Sequence, residues 1–236
     1  VNKKTIKFVA QNKHVLEVRQ KPIPAKNIHP EWWKNIPVYS NKESKLRLNP
    51  HPNVTVKRCF PTLDIISMGY VFTLWCDLEV TIDKHGSHFV RWLVNEPPVS
   101  TWTSSQVEGF EIPIGYQSNP VFKYHHGWTI KTPKNFSCLI THPFGYQNLP
   151  IKSISGVVDT DEYDGEINVP FVFKEGWSGI LPVGTPMFQV IPFERHHWES
   201  EILLKQPGEH TIDVDKMEKI INSAYGKLFH RKKKYT

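Results

Sequence analysis

Tyr70-Val71-Phe72-Thr73-Leu74-Trp75-Cys76-Asp77-Leu78-Glu79-Val80-Thr81-Ile82-Asp83 alternates in polarity without a break. Phe72, Leu74, Cys76, Leu78, Val80 and Ile82 point one way; Val71, Thr73, Trp75, Asp77, Glu79, Thr81 and Asp83 point the other. Successive side chains on a strand face opposite sides of a sheet, so period two predicts one half-buried strand. Asp83-Lys84-His85-Gly86 supplies turn residues, and residues 88–94 resume as the return strand of a hairpin. Further strands are expected over residues 111–114, 121–124, 128–131, 137–141, 166–173 and 187–193, punctuated by proline or glycine. Many short strands with turn signals between them predict an antiparallel sandwich or barrel.

Either side of this β-rich stretch the pattern changes. Residues 1–50 read as an extended arm, with short strands expected over 5–9 and 15–19. Pro22, Pro24, Pro30 and Pro37 forbid a long helix or a central strand there. Residues 31–35 can make one helical turn opened by Pro30. Its adjacent Trp32 and Trp33 either plug a hydrophobic gap on the main domain or form a surface anchor for a partner. The main domain spans residues 51–210, and residues 211–236 form an amphipathic helix and basic tail. Over 215–229, Met217, Ile220, Ile221, Ala224 and Leu228 share one helical face, and Asp215 with Glu218 resembles a capping box.

Composition narrows the classes. With 236 residues, 39% hydrophobic and 22% charged, the chain can bury a large core and is not a disordered segment. No run of eighteen apolar residues exists to span a membrane as a helix. Lys3 and Lys4 are not followed by an apolar stretch, so secretion through a signal peptide is not expected, and the sequons at Asn53 and Asn135 then carry no meaning. Cys59, Cys76 and Cys138 lack CxxC spacing and read as reduced, buried thiols. The net charge of +6 is mostly local: without Arg231, Lys232, Lys233 and Lys234 the body is near +2. That run can bind the phosphates of a nucleic acid, but so short a terminal cluster reads first as a solvated end.

Generic catalytic and metal motifs are missing. His125-His126 and His196-His197 are adjacent pairs, and neighbours on a strand face opposite ways, so neither pair easily chelates one ion. One stretch is specific. Gly156-Val157-Val158-Asp159-Thr160-Asp161-Glu162-Tyr163-Asp164-Gly165-Glu166-Ile167-Asn168-Val169 closely resembles the third motif of the dUTPase and dCTP-deaminase superfamily. Gly184-Thr185-Pro186-Met187-Phe188-Gln189-Val190-Ile191 matches the fourth motif at its glycine, apolar and glutamine positions. Thr132-Pro133-Lys134-Asn135-Phe136-Ser137-Cys138-Leu139 falls where the second belongs. A narrower resemblance, through Trp32–Pro37, Lys57–Pro61, Asp64, Gly69-Tyr70, Arg195 and Trp198, is to a family from bacteria and tailed phages that carries no transferable activity.

The resemblance implies a mainly β, dUTPase-like barrel or jelly roll with an N-terminal proline-rich arm and one C-terminal helix, assembled as a homotrimer. It also implies a water-orienting role for Asp159 and a sugar platform at Tyr163. The departures oppose catalysis. Glu162 is inserted before Tyr163, which turns that ring to the other face unless a bulge absorbs it. Val71 stands where a magnesium-related carboxylate is needed, Lys134 and Asn135 replace an arginine-serine pair, and Pro186 replaces an arginine. Phosphoryl chemistry depends on such charges. The expectation is therefore a non-catalytic structural or interaction protein without metal or cofactor: a capsid or decoration component of a tailed-phage virion, found there or in the host cytoplasm. Its arm would contact other virion or assembly proteins through Trp32 and Trp33. The alternative is a nucleotide-binding or nucleoside-triphosphate pyrophosphatase-like protein with a vestigial site at Asp159, Tyr163, Ser137 and Gln189.

Overall fold

The computed structural model describes residues 4–40, 54–116, 120–204 and 224–233. In chain order, its first half carries β1 (Lys7–Ala10), α1 (Lys13–Val18), β2 (Ile23–Pro24), α2 (Glu31–Asn35), α3 (Phe60–Ser67), β3 (Tyr70–Thr73), β4 (Leu78–Ile82), β5 (His88–Arg91) and β6 (Val99–Thr101). There follow β7 (Phe122–Tyr124), β8 (Trp128–Lys131), β9 (Phe136–Thr141), β10 (Ile151–Ser153), β11 (Gly156–Val158), β12 (Val169–Phe173), β13 (Gly179–Leu181), β14 (Pro186–Glu194) and α4 (Ala224–Leu228).

The protein is mainly β, and every ladder is antiparallel. A five-stranded sheet runs β11-β9-β14-β3-β2, a four-stranded one β10-β12-β7-β6, a three-stranded one β13-β4-β5, and β1 pairs with β8. Among the described residues these sheets do not close into a barrel.

One apolar core joins the sheets. Phe72 of β3 stacks on Phe188 of β14 at 4.5 Å, and Tyr124 of the four-stranded sheet reaches across to donate its hydroxyl to Thr73 O at 2.7 Å. Phe122, Phe171 and Phe173 fill the same cluster, each at most 4% exposed. Burying an aromatic of this kind contributes about 1.5–3 kcal/mol. β14 is covered on both faces: Phe188 and Val190 enter the core, while Gln189 faces α3 and donates to the carbonyls of Ile65 and Met68 at 3.2 and 2.6 Å.

Five local expectations change. The single strand over 70–83 is two strands in different sheets. Leu74 leaves β3 by exchanging backbone hydrogen bonds with Thr185 and Gly184, and Asp77 accepts from Val183 N at 2.7 Å. The even residues stay turned inward through the crossing, so the alternation never breaks. Residues 15–19 were expected as a strand, but 13–18 form α1, because the Asn12 side chain caps the Val15 N–H at 2.9 Å. Residues 111–114 form no strand, and before β12 Glu166 makes only an isolated bridge to Thr129. Cys76 and Cys138 are buried as expected, but Cys59 is only partly so.

The described part of the N-terminal fifty residues packs on its own domain. β1 pairs with β8 in the register Phe8 to Ile130, and Val15 and Ala25 are each 1% exposed. At the other end, α4 lies in the described part of the stretch expected as a helix. Met217, Ile220, Ile221, Asp215 and Glu218 lie outside the described residues, and Leu228 is 45% exposed. Beyond α4, His230 and Lys233 close on the Asp64 carboxylate of α3, with the His230 ring 4.5 Å from Phe60.

Candidate functional site

Ser137 and Asp159 come together because β9 and β11 are neighbours, with Cys138 opposite Val158. β11 ends at Val158, and Asp159 opens a turn whose carbonyl accepts from both Glu162 N (3.1 Å) and Tyr163 N (2.8 Å). The inserted Glu162 is thus taken up in a turn after the strand has finished, and no ladder is shifted by it. Ser137, fully buried, donates its hydroxyl to Asp159 Oδ1 at 2.6 Å.

The group that organises this corner is Arg195, the residue after β14. Its backbone N–H donates to Asn135 O at 2.9 Å, and Asn135 Nδ2 donates back to Arg195 O at 3.0 Å. The guanidinium forks onto Asp161, with contacts of 2.8 and 2.5 Å, and shares Nη1 with Ser137 Oγ (2.9 Å), Asp159 Oδ1 (3.2 Å) and Phe136 O (3.2 Å). Asn135 holds a left-handed φ of 71° in the β8–β9 turn, which aims its N–H at Asp161 Oδ2, 2.7 Å away. The Asp161 side chain is 2% exposed, against 63% for Asp159 and 35% for Arg195. The Arg195 fork, helped by the Asn135 N–H, holds the Asp161 carboxyl down to about 2, and Asp161 in turn raises the Arg195 pKa. Bidentate arginine–carboxylate pairing of this kind is strong and directional.

Chemically this is a closed network. The Asp159 oxygen that faces it accepts two hydrogen bonds, and the arginine fork that could grip a phosphate is occupied by a covered carboxylate.

The other two candidate residues stand apart. Gln189 lies opposite Thr141, four residues along β9 from Ser137, or roughly 13 Å at the usual strand rise. It is 1% exposed, and its Oε1 accepts from Phe144 N at 2.9 Å, so its amide ties three segments together. Tyr163 folds over Gly165, where a Cβ would meet its hydroxyl at 2.7 Å, and donates to Glu166 O at 3.1 Å. Val71 is buried in β3 between Gln189 and Ile23.

The two adjacent tryptophans have different surroundings. Trp33 is 3% exposed, whereas Trp32 is 40% exposed and donates to Gly145 O at 2.6 Å. In the basic tail Lys233 is paired with Asp64, Arg231 and Lys232 are exposed, and Lys234 lies outside the described residues. Among the described residues no three His, Cys, Asp or Glu side chains are placed to hold a metal ion. His125 binds Ser100 and Asn168, while His126 is turned inward, accepting from Trp128 N and donating to Ile167 O. No described helix is long and apolar enough to cross a membrane.

Arg195 and Asp161 carry the network, and neither was singled out as a site residue from the sequence. The available signal was Arg195 itself, a cation just beyond a strand and part of the phage-family resemblance. A second feature had no signal. Beyond Arg195 the chain continues without helix or strand to Leu204, with Trp198, Ile202, Leu203 and Leu204 exposed by 84, 97, 75 and 85%. Comparison with protein-family models and with curated proteins finds no match.

Proposed function

We propose that this chain is a non-catalytic structural or interaction protein with a dUTPase-like jelly-roll fold, that it assembles as a homotrimer, and that it serves as a capsid or decoration component of a tailed-phage particle. The observation that carries the non-catalytic part is the Arg195 network. Asp159, which the resemblance casts as the water-orienting carboxylate, is bonded to Ser137 and Arg195, and the Arg195 fork is spent on Asp161. Transition-state stabilisation needs charge aimed at the substrate, and these charges are aimed at one another. In favour of the fold, the second-, third- and fourth-motif stretches lie side by side as β9, β11 and β14 of one sheet. In favour of an interaction role, large apolar side chains are exposed in a run at 198–204, beyond what scattered surface residues explain.

Melting with dUTP or dCTP plus magnesium, and an assay for pyrophosphate release, test the non-catalytic part. A ligand at a hundred times its dissociation constant would stabilise the fold by about 2.7 kcal/mol. We expect neither a shift nor release. Release that Asp159→Ala abolishes would establish the nucleotide-hydrolysing alternative instead. Light scattering at micromolar concentration tests the trimer, and a mass near the 27.4 kDa of one subunit contradicts it. Mass spectrometry of purified particles tests the virion role, which fails if they contain none of the protein.

A further inference from the structure

We infer that the surface around α3, completed by the tail that follows α4, binds single-stranded nucleic acid through its phosphates. This goes beyond the particle role proposed above and does not depend on it. Segments 25–40, 54–69 and 224–233 hold eight lysines and arginines against two acids, Glu31 and Asp64. Their surplus of six equals the net charge of the whole chain, and the other residues balance at twenty-one of each sign. A concentration of one sign on one surface is the electrostatic footprint of a phosphate-binding protein.

The three segments are packed together. The turn Ala25–Asn27, which carries Lys26, lies against α3, and Ala25 N donates to Gly69 O at 2.9 Å. His29 is 2.9 Å from Ser67 Oγ. Lys57 donates to Trp33 O, and Arg58 reaches Tyr39 Oη at 3.5 Å. From the tail, the His230 ring lies 4.5 Å from Phe60. The positive field of this surface registers on His29, whose pKa is lowered first by burial and then by Lys57 and Lys34. Both acids are engaged within the surface, Glu31 with Lys34 at 2.6 Å and Asp64 with His230 and Lys233. Asp64 is 9% exposed and anchors the tail, while Lys227, Arg231 and Lys232 stay exposed. Between these cations stand half-open aromatic rings, Tyr225 and Phe229 in the tail and Trp32 on α2. Cations that track a phosphate backbone, with rings on which unpaired bases stack, are the two elements of single-strand recognition. An acidic peptide would use the cations and leave the rings without partners.

The test is fluorescence anisotropy of a labelled oligothymidylate titrated with the full chain at about 50 and about 200 mM salt. With about four phosphates neutralised, the association constant should fall roughly fifty-fold between the two. The double variant Arg231→Glu, Lys232→Glu should weaken low-salt binding by about tenfold or more, with its circular dichroism unchanged. The pair Lys84→Glu, Lys174→Glu makes the same change of charge at exposed positions in the β4–β5 turn and after β12, and should bind as the wild type does. Tyr225→Ala, Phe229→Ala should weaken binding about fivefold or more without altering the salt dependence. Equal losses in the two glutamate pairs would reduce the attraction to net charge and overturn the site. Absence of binding at the lower salt, or binding of polyglutamate as tight as that of the oligonucleotide, would overturn it as well.

Discussion

Gly69 shows how one residue can be fixed by backbone alone. Its φ is +69°, and a Cβ built there would stand 2.0 Å from Val190 O, inside the strand that carries Gln189. A left-handed conformation costs an L-residue roughly 1–2 kcal/mol before any clash, and a backbone oxygen cannot step aside. Gly69→Ala should therefore lower the stability measured in urea by more than about 2 kcal/mol; an effect below half of that would mean that β3 and β14 part easily. At the other corner, Arg195→Ala should lower the melting temperature by leaving the covered Asp161 carboxylate with only the Asn135 N–H. The double variant Arg195→Ala, Asp161→Asn should recover part of that loss, and a carboxyl titration of the single variant should find Asp161 moved up toward the ordinary range. Ser137 and Asp159 were legible because each lies in a stretch with a recognisable pattern. Arg195 and Asp161 were not, since nothing local marks two charges that meet only when β14 ends beside the turn after β11.

α2 shows where an element's fate is decided. Pro30 caps it and Glu31–Asn35 make a little over one turn, as the sequence suggests, yet that turn sends two adjacent tryptophans to different surroundings. Trp33 goes under, with the Lys57 ammonium 5.0 Å above its ring, while Trp32 lies half out against Gly145. Trp33→Ala should cost about 3–5 kcal/mol, as for other buried large-to-small changes, and Trp32→Ala only about 1 kcal/mol for its hydrogen bond. Equal effects of the two in denaturant titrations would contradict this division. The same limit explains the break after β3. Alternation from Tyr70 to Ile82 states which side chains turn inward and is silent on which sheet receives them, because the inward side stays inward while the chain crosses at Leu74. It also explains α1, where the valines of residues 15–19 suggested a strand and the Asn12 cap decided for a helix. The arm is similar: its prolines exclude long elements, and short pairings of β1 with β8 and of β2 with β3 tie it to the body.

For the whole molecule, the β class was legible and the arrangement of sheets was not, since edge and neighbour are set by contacts between distant segments. Packing has a consequence that summed composition hides. Twelve histidines suggest a chain that gains charge readily on acidification. Several of them are instead enclosed as neutral rings. His126 is pushed down to about 4 by burial, its Nδ1 accepting from Trp128 N and its Nε2 donating to Ile167 O. His142 is likewise pushed down to about 4 by burial, between Tyr146 O and Ser153 N. His88 and His29 are lowered in the same direction and for the same reason. In the unfolded chain each would titrate near 6.5, so between about pH 6.5 and 4 the unfolded state binds more protons than the folded one. Stability is then fully present above pH 6.5 and falls with pH through this window, by roughly 3 kcal/mol for each of His126 and His142. Asp161 acts below that window. Its folded pKa is depressed by Arg195, so its contribution is present above the usual carboxylate range and is lost as pH falls toward about 2. Urea titrations should therefore give one stability from pH 8 to 6.5 and a steep decline from 6.5 to 4. His126→Gln should flatten that decline while starting from a lower plateau, because glutamine cannot reproduce both ring hydrogen bonds. A wild-type stability that stays level down to pH 4.5 would mean that these rings reach water and are protonated without unfolding.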